Sequence, residues 1–381
     1  MTKKSVSILI ASDSFKGSAN SMQVAKYIEK GMRRKEPNAL IQSLSIADGG
    51  EGTVEAIVIG AKGRYDYVEV TGPLGAKTNV RYGIINHNSA VIEVAETSGL
   101  TLVDESELNP YKATSYGLGQ AINHVVESGL KHIYIGLGGS ACNDGGIGLL
   151  QALGGQVLDI EGRDVPFGVE GLKEVATIQI DQLKEKLKDV KIEVLSDVQN
   201  PLTGKNGATY IYGRQKGARE EDLAIIDGYM KQFQSKVKEQ LAIDFTHIAG
   251  AGAAGGLGAA LWGFCNATIH SGIEKVLELI GLDHYVQQAD LVITGEGSID
   301  AQSLCGKAPI GVAKVAKKYG KPVIAIVGSC GDDLKTIYQS DIDLVIDIIN
   351  RPMTLKEAMD NVEMLIENAG ENAIRSYLIG R

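Results

Sequence analysis

The chain has 381 residues, a formal net charge of −9 at pH 7 and a charged fraction of 22%. Its excess of acidic side chains argues against a binding surface for nucleic acid or for an anionic membrane, because either surface needs clustered basic residues. The length exceeds that of a usual single hydrophobic core, so two domains are expected. Glycine contributes 47 residues, and their clustering between apolar runs indicates many loops and turns.

The first elements alternate between strand and helix patterns. The apolar run at 6–11 predicts a strand, and a helix follows with Val24, Ile28 and Met32 on one face. A second strand at 40–47 leads into a glycine-rich loop and another helix. This order predicts a parallel sheet whose ligand-binding loops follow the carboxyl ends of its strands.

The middle of the chain has a different pattern. Residues 65–96 contain strands separated by turn residues, which predicts an antiparallel meander. A helix at 116–127 and a strand at 132–135 follow, and further strands are expected around 194–197 and 208–212. This region therefore predicts a mixed sheet.

The uncharged stretch at 248–273 is long enough to cross a membrane, but glycine and alanine dominate it and it contains Asn266 and His270. We expect a buried loop and helix there instead. No signal peptide is recognisable, and the four cysteines form no metal-binding pair. A cytoplasmic location with reduced thiols is therefore expected.

Near the C-terminus the alternating pattern returns, with a strand at 290–294, a helix at 311–318 and strands at 323–327 and 344–348. Together with the first two strands, these can form one doubly wound sheet.

The expected fold class is therefore α/β with two domains. Residues 1–63 and 284–381 are expected to form a discontinuous flavodoxin/Rossmann-like domain around a doubly wound parallel sheet. A mixed α/β domain at 64–283 is inserted into it, and the active site is expected in the cleft between the two domains.

Four glycine-rich loops recur along the chain, and three of them also carry acidic side chains. Glycine lets the backbone approach a ligand closely, and its N–H groups can then line an anion pocket. Carboxylates beside such loops suit a magnesium ion held against phosphates. The pattern indicates phosphoryl transfer, and the loops are 47–53, 136–146, 250–256 and 294–300.

The loop after the first strand contains Asp13, Ser14 and Lys16. Lys16 and the amides before a helix suit an anionic group, although an ordinary helix cap is the alternative. Asp48 and Glu51 could hold magnesium or bind substrate hydroxyls, or they could simply cap a helix.

Two further strand ends carry candidate residues. Asp197 follows an apolar strand, with Asn200 three residues later, and this pair suits a general base with a metal or substrate partner. The alternative is an Asx turn before Pro201. Glu296, between Gly295 and Gly297, lies where ligands bind in parallel sheets.

The loop at 250–256 matches the glycine spacing of a dinucleotide-binding fingerprint. Phosphate or nucleotide contact, tight helix packing and a true NAD site are the three alternatives. No P-loop occurs, since the pairs Gly204-Lys205 and Gly306-Lys307 lack the required glycine upstream.

Five segments, at 13–17, 47–53, 138–146, 196–202 and 294–297, are spread in order across nearly the whole chain. Together they resemble the type I glycerate kinases. The resemblance implies ATP-dependent phosphorylation of D-glycerate by two α/β domains, and known members often make 2-phosphoglycerate. Two positions depart from the family pattern: Arg214 stands where proline is usual, and Ser298 where a basic residue is common.

Chemistry assigns the individual roles. The protein is expected to bind glycerate, ATP and Mg²⁺, with no nucleic-acid or membrane partner. The sequence is compatible with an oligomer but does not define the oligomeric state. A nicotinamide-dependent oxidoreductase and a non-enzymatic small-acid binding protein are the alternatives. The expected residues are Asp197, Lys16 and Asn200 for catalysis; Asp13, Ser14, Asp48, Glu51, Asn143 and Asp144 for the substrate; Gly138, Gly139, Ser140, Gly252, Gly255, Gly256, Gly295 and Gly297 for the nucleotide; and Asp48 and Glu296 for the metal.

Overall fold

A computed structural model of the chain describes residues 5–299, 307–331 and 334–379. Strands and helices are both distributed along these residues. The strands are β1 (Ser7–Ser12), β2 (Leu40–Ser45), β3 (Arg64–Thr71), β4 (Lys77–Ile85), β5 (Ser89–Glu93), β6 (His132–Gly136), β7 (Gln156–Leu158), β8 (Thr177–Gln179), β9 (Lys191–Leu195), β10 (Thr268–His270), β11 (Leu291–Glu296), β12 (Val323–Val327) and β13 (Leu344–Asp347).

The α-helices connect these strands or extend beyond them. They are α1 (Ser21–Lys35), α2 (Thr53–Gly60), α3 (Val94–Ser98), α4 (Tyr116–Glu127), α5 (Ile147–Ala152), α6 (Gly168–Glu174), α7 (Asp181–Leu187), α8 (Ala208–Tyr212), α9 (Glu220–Leu241), α10 (Leu257–Phe264), α11 (Gly272–Leu279), α12 (Leu282–Gln288), α13 (Ala308–Lys318), α14 (Leu334–Tyr338), α15 (Leu355–Asp360) and α16 (Val362–Ile379).

The chain divides into two compact units, which we describe separately. The first unit consists of Met1–Asp48, Glu55–Lys62 and Ile273–Arg381, and the second consists of Gly49–Val54 and Gly63–Gly272. The α/β fold class is confirmed. The domain boundaries expected from the sequence, at 63–64 and 283–284, stay a prediction.

The first unit is built on a five-stranded, fully parallel sheet in the order β13-β12-β11-β1-β2. Its central strands are apolar because both faces are covered, as expected for a parallel sheet. The strand order reverses between β1 and β11, so the loops after these two strands lie at a topological switch point. This is the position where doubly wound sheets bind ligands.

Helices α1 and α16 form part of the apolar core of this unit. Asn20 caps α1 through a reciprocal capping box with Gln23. The two helices approach closely at Gly31, where an added Cβ would lie 1.9 Å from the carbonyl oxygen of Glu367. Glycine is therefore required there for helix packing.

The second unit contains a six-stranded mixed sheet in the order β10-β9-β6-β5-β4-β3. Strands β3, β4 and β5 pair antiparallel, and β5, β6, β9 and β10 pair parallel. The expected meander is thus confirmed. A separate antiparallel pair, β7 and β8, completes the strands of this unit.

The strand expected at 208–212 is wrong, because Ala208–Tyr212 is helix α8. Its Thr, Tyr and Ile residues favour strands locally, but the buried Ala208 and Thr209 pack in a helical turn after Gly207. Tertiary packing here overrides local propensity.

The uncharged stretch forms a buried glycine-rich turn followed by α10 and β10, as expected. Within the described residues, no helix is long and apolar enough to cross a membrane. Cys142, Cys265 and Cys330 are free thiols, and Cys305 lies outside the described residues.

Candidate active site

Three acidic residues lie at the carboxyl edge of the parallel sheet in the first unit. Asp13 follows β1, Asp48 follows β2 and Glu296 ends β11. Burial, followed by the charges of Asp48 and Glu296, raises the pKa of Asp13 to about 7, although hydrogen bonds from Ser14 oppose this shift. The three acids thus concentrate negative charge at this switch point, and the metal-binding role expected for Asp48 and Glu296 stays a prediction.

Hydrogen bonds fix the loop that carries Asp13. The Asp13 backbone N–H donates to the Gly295 carbonyl at 2.9 Å, and this bond connects the loop after β1 to strand β11. The Asp13 carboxylate accepts from the backbone N–H of Ser14 at 2.6 Å. Ser14 therefore orients the acid through its main chain.

Glu296 is 8% exposed and pairs with Lys307 at 3.4 Å. Among the described residues, no three His, Cys, Asp or Glu side chains are arranged to hold a metal ion together. Magnesium usually takes only one or two carboxylates and completes its shell with water and phosphate oxygens. The acids of this edge fit that mode of binding, in which the substrate supplies part of the coordination.

The two candidate glycines of this edge differ in their surroundings. An added Cβ at Gly295 would lie 2.0 Å from the Ile326 carbonyl oxygen, so strand packing requires glycine there. Gly297 lies just beyond β11, and the nearest atom to an added Cβ would be 3.5 Å away, in Lys16 or Phe15. Gly297 therefore has more space for a ligand than Gly295.

Lys16 is exposed in the loop between β1 and α1. Phe15 and Ala19 close this loop with two reciprocal backbone hydrogen bonds, and Gly17 adopts a φ of 78° within it. In the described part of the chain, no carboxylate pairs with Lys16. Its charge is thus available to an anionic ligand.

In the second unit, the glycine-rich loops pack directly against one another. The Gly138 N–H donates to the Gly49 carbonyl at 3.1 Å, and the Gly145 N–H donates to the Gly255 carbonyl at 3.0 Å. An added Cβ at Gly138 would lie 2.3 Å from the Gly50 Cα. Loop packing therefore accounts for Gly138, while Gly139 adopts a φ of 74°.

The loop at 250–256 also has a packing explanation. Added Cβ atoms at Gly252 and Gly255 would each lie 2.2 Å from a backbone carbonyl, of Pro201 and Cys142 respectively. Gly256 adopts a φ of 101° just before α10. No strand directly precedes this loop, so the strand-loop-helix unit of a dinucleotide site is absent from this segment. Of the three alternatives, the structure favours tight packing.

Asp144 is fully buried and holds its loop together. Its carboxylate accepts from the backbone N–H and the hydroxyl of Ser115, both at 2.8 Å, and from the N–H groups of Gly146 and Gly148. Burial raises the pKa of Asp144 while these donors lower it. These hydrogen bonds all support the loop, and the expected contact of Asp144 with the substrate stays a prediction.

Asn143 is also fully buried, and its side-chain NH₂ donates to the Thr209 hydroxyl at 3.0 Å. Its side-chain oxygen has no hydrogen-bond partner among the described residues. Asn143 therefore keeps one unused acceptor, and its place in substrate binding stays a prediction.

Lys216 is a buried cation that sequence reasoning missed. It is 2% exposed, and its Nζ donates to the Ser140 hydroxyl at 2.8 Å and to the Cys142 carbonyl at 2.7 Å. Burial lowers its pKa to about 8. Lys216 thus fixes the conformation of the loop that carries Ser140 and Asn143.

Asp197 lies in the loop after β9 and is partly buried. Its Oδ1 accepts from the Ser271 hydroxyl at 2.8 Å and from the Gly272 N–H at 2.9 Å. These donors hold the carboxylate in one orientation, which suits a positioned base as well as a structural acid.

Both polar groups of the Asn200 side-chain amide, its NH₂ and its oxygen, have hydrogen-bond partners. Its NH₂ donates to the Asn206 carbonyl at 2.9 Å, and its oxygen accepts from the Tyr212 hydroxyl at 2.8 Å. A catalytic role for Asn200 is therefore less favoured than one that shapes the loop between β9 and α8.

Glu51 is exposed in the loop between β2 and α2. Glu93 binds the same loop, and it is a second residue that was not predicted from the sequence. Glu93 is 2% exposed at the end of β5 and accepts from the N–H groups of Gly52, at 3.3 Å, and Val54. Burial raises its pKa to about 7. An acid at the end of a buried strand was the available signal.

Comparisons with known proteins agree with one another. Residues 8–378 match the model of the glycerate kinase family. The chain is 45% identical to a protein named glycerate 2-kinase from Escherichia coli K12, over 98% of each chain. It is 44% identical to a glycerate kinase from Halalkalibacterium halodurans, over 96% of each. A crystal structure from Salmonella typhimurium LT2, assigned provisionally as glycerate kinase 2, superposes with a TM-score of 0.84 at 44% identity over 99% of both chains.

Proposed function

The chain belongs to the glycerate kinase family, and we propose that it transfers the terminal phosphoryl group of ATP to D-glycerate with magnesium as cofactor. The protein is a kinase, and glycerate is the acceptor named by its relatives. The use of ATP, the need for magnesium and the product isomer are the proposed parts. The observation that supports them best is the group of acids at the switch point of the parallel sheet.

The acids of this edge are proposed to bind the metal. Burial raises the pKa of Asp13 to about 7, with smaller contributions from the negative charges of Asp48 and Glu296. A divalent cation would relieve this repulsion and would neutralise charge on the transferring phosphates. We assign Asp48 and Glu296 as its ligands, together with phosphate oxygens and water.

Lys16 is proposed to hold phosphate. Its side chain is exposed and has no acidic partner within the described ranges, and the loop that carries it is closed by backbone hydrogen bonds. A fixed positive charge at this position would stabilise the negative charge of the phosphates during transfer. Gly297, next to the Lys16 backbone, leaves space for such a ligand.

Asp197 is proposed as the acceptor of the substrate hydroxyl proton, because Ser271 and Gly272 hold its carboxylate in a defined orientation. Asp13 is the second candidate, because its pKa of about 7 suits a proton acceptor near neutral pH.

The position of the site in a cleft between two domains stays a prediction. A cytoplasmic location and the absence of nucleic-acid and membrane partners also stay predictions.

The proposed product is 2-phosphoglycerate, after the 2-kinase name of the Escherichia coli relative. The test is ³¹P NMR of the purified protein with ATP, magnesium and D-glycerate. We expect ADP and 2-phosphoglycerate to appear together in equal amounts. Accumulation of 3-phosphoglycerate would reject the isomer, and no ATP consumption would reject ATP as the donor.

A further inference from the structure

A pocket opens at the carboxyl edge of the parallel sheet in the first unit. It has a volume of about 440 Å³, which lies within the usual range for small-molecule sites of about 300–1,000 Å³. Its base is formed by the residues that follow three neighbouring strands: Gly297 after β11, Gly328 after β12 and Ile348 after β13. The pocket is therefore next to the switch point.

The walls of this pocket have two different chemical characters. Lys16, Ser18 and Ser329 form a polar end, and the remaining side chains, apart from Thr354, form an apolar wall. Ser329 donates to the Ser298 hydroxyl at 3.0 Å beside this end. The apolar wall comes from the segment before α15 and from α15 and the start of α16, and comprises Ile349, Met353, Leu355, Ala358, Met359 and Val362.

The charge of the lining is unusual for this chain. The described lining contains one lysine and no Asp or Glu, although the whole chain carries a net charge of −9. Leu355, which also lines the pocket, is 78% exposed, so its apolar side chain is accessible to a ligand. A ligand with one flat apolar part and one anionic part would complement this lining.

We propose that this pocket receives the adenosine part of ATP, with the base against the apolar wall and the phosphates directed past Lys16. This proposal rests on the proposed use of ATP. Lys16 is three residues beyond Asp13, and Gly297 follows Glu296 directly. Phosphates at the polar end would therefore reach the acids that are proposed to hold the metal.

Glycerate is a poor match to the same pocket. It is a small acid with two hydroxyl groups, so it offers no apolar surface to cover the wall formed by Met353, Leu355 and Met359. Thr354, the polar residue of that wall, already accepts from the Glu357 N–H and donates to its carboxylate. The wall thus offers packing area more than hydrogen bonds.

The proposal is tested with a variant whose new side chain fills the pocket, and the KM values for ATP and for glycerate are measured separately. Ala358→Trp places a large side chain in the apolar wall, and we expect it to raise the KM for ATP at least tenfold. The KM for glycerate should change by less than about threefold, as expected for loss of one substrate's binding only. Leu40→Trp is the matched control, because Leu40 is 64% exposed at the start of β2, at the opposite end of the strands.

Two further measurements keep the proposal testable if the Ala358→Trp variant does not fold. Leu355→Glu changes an exposed position and should raise the KM for ATP about three- to tenfold while circular dichroism stays unchanged. Photolabelling of the wild-type protein with 8-azido-ADP should modify peptides within 348–362. An unchanged KM for ATP in both folded variants, or labelling only elsewhere, would overturn the pocket assignment while the wild-type reaction continues. A wild-type protein that does not use ATP would overturn both proposals.

Discussion

The Glu296 carboxylate lies close enough to Asp13 for its charge to raise the pKa of the Asp13 carboxyl group. The two residues end adjacent parallel strands, and the Asp13 N–H donates to Gly295 at 2.9 Å. Acids far apart in the sequence thus share one electrostatic environment, as in many sites where like charges are held together for function.

Asp13→Asn is expected to stabilise the folded protein at neutral and alkaline pH. The pKa of Asp13 rises from 3.8 to about 7 on folding, so the unfolded chain loses its proton first as the pH increases. As the pH rises from 3.8 to about 7, the folded protein therefore loses stability relative to the unfolded chain. Above the higher of these two pKa values the loss is constant. A shift of this size corresponds to about 4 kcal/mol, so we expect the variant to gain up to about 4 kcal/mol at pH 8 and almost nothing below about pH 4.

Thermal unfolding without nucleotide or magnesium, at a series of pH values, measures this difference. Asp189→Asn is the control, because Asp189 is exposed in the second unit. Equal shifts at pH 4 and pH 8, or a destabilised variant at pH 8, would contradict the account of Asp13.

Asp197→Asn is expected to lower kcat by about 10²–10⁴-fold, the usual cost of losing a general base. The amide oxygen can still accept from Ser271 and Gly272, so the loop should keep its conformation. ATP binding, measured by calorimetry, should change only a few-fold. A variant that retains more than half of the wild-type kcat would remove Asp197 from the mechanism and would leave Asp13 as the proton acceptor.

Lys16→Ala is expected to weaken binding of an anionic ligand without unfolding the protein, because Lys16 is exposed in a loop. A lost hydrogen bond to a charged group costs about 1.5–3 kcal/mol, so the KM for ATP should rise about 10–100-fold. Lys26→Ala, on the exposed side of α1, provides a matched loss of charge in the same unit. Unchanged KM values for both ATP and glycerate would return Lys16 to the role of a solvated surface residue.

Lys216→Met is expected to disturb the loop at 138–146, because the Cys142 carbonyl and the Ser140 hydroxyl lose their buried donor. An unpaired buried group costs about 1–3 kcal/mol, and we expect kcat/KM to fall at least tenfold. Lys205→Met, at an exposed position of the same unit, should have little effect. A Lys216→Met variant with normal kinetics would show that the loop is held without this lysine.

Sequence patterns predicted the parallel sheet well, because its buried strands are continuous apolar runs such as Val323–Val327. They also placed Asp48 and Glu296 at one edge of the sheet, because the carboxyl ends of parallel strands lie on the same side; the roles of these two acids stay a prediction. The helix Ala208–Tyr212 was missed, because its side chains favour strands locally and tertiary packing decides its form.

The individual roles within the glycine-rich loops were harder to predict. Gly255 and Gly295 meet backbone carbonyls that only a structure reveals. Asp144 reads like a ligand-binding acid in the sequence, yet its partners are backbone and hydroxyl donors of its own unit. Nothing in the sequence distinguishes buried Lys216 from the exposed lysines, because burial depends on contacts between distant loops.

The magnesium dependence of activity tests the central claim, that the acids at the sheet edge form the phosphoryl-transfer site. Magnesium should be titrated against the activity of the wild-type protein, Asp48→Asn and Glu296→Gln, with ATP and D-glycerate in excess. Because each variant removes one of the proposed carboxylate ligands, we expect at least a tenfold rise in the magnesium concentration for half-maximal activity and a smaller rise in the KM for glycerate. An unchanged magnesium requirement together with a raised KM for glycerate would contradict this account and would assign these acids to the substrate instead.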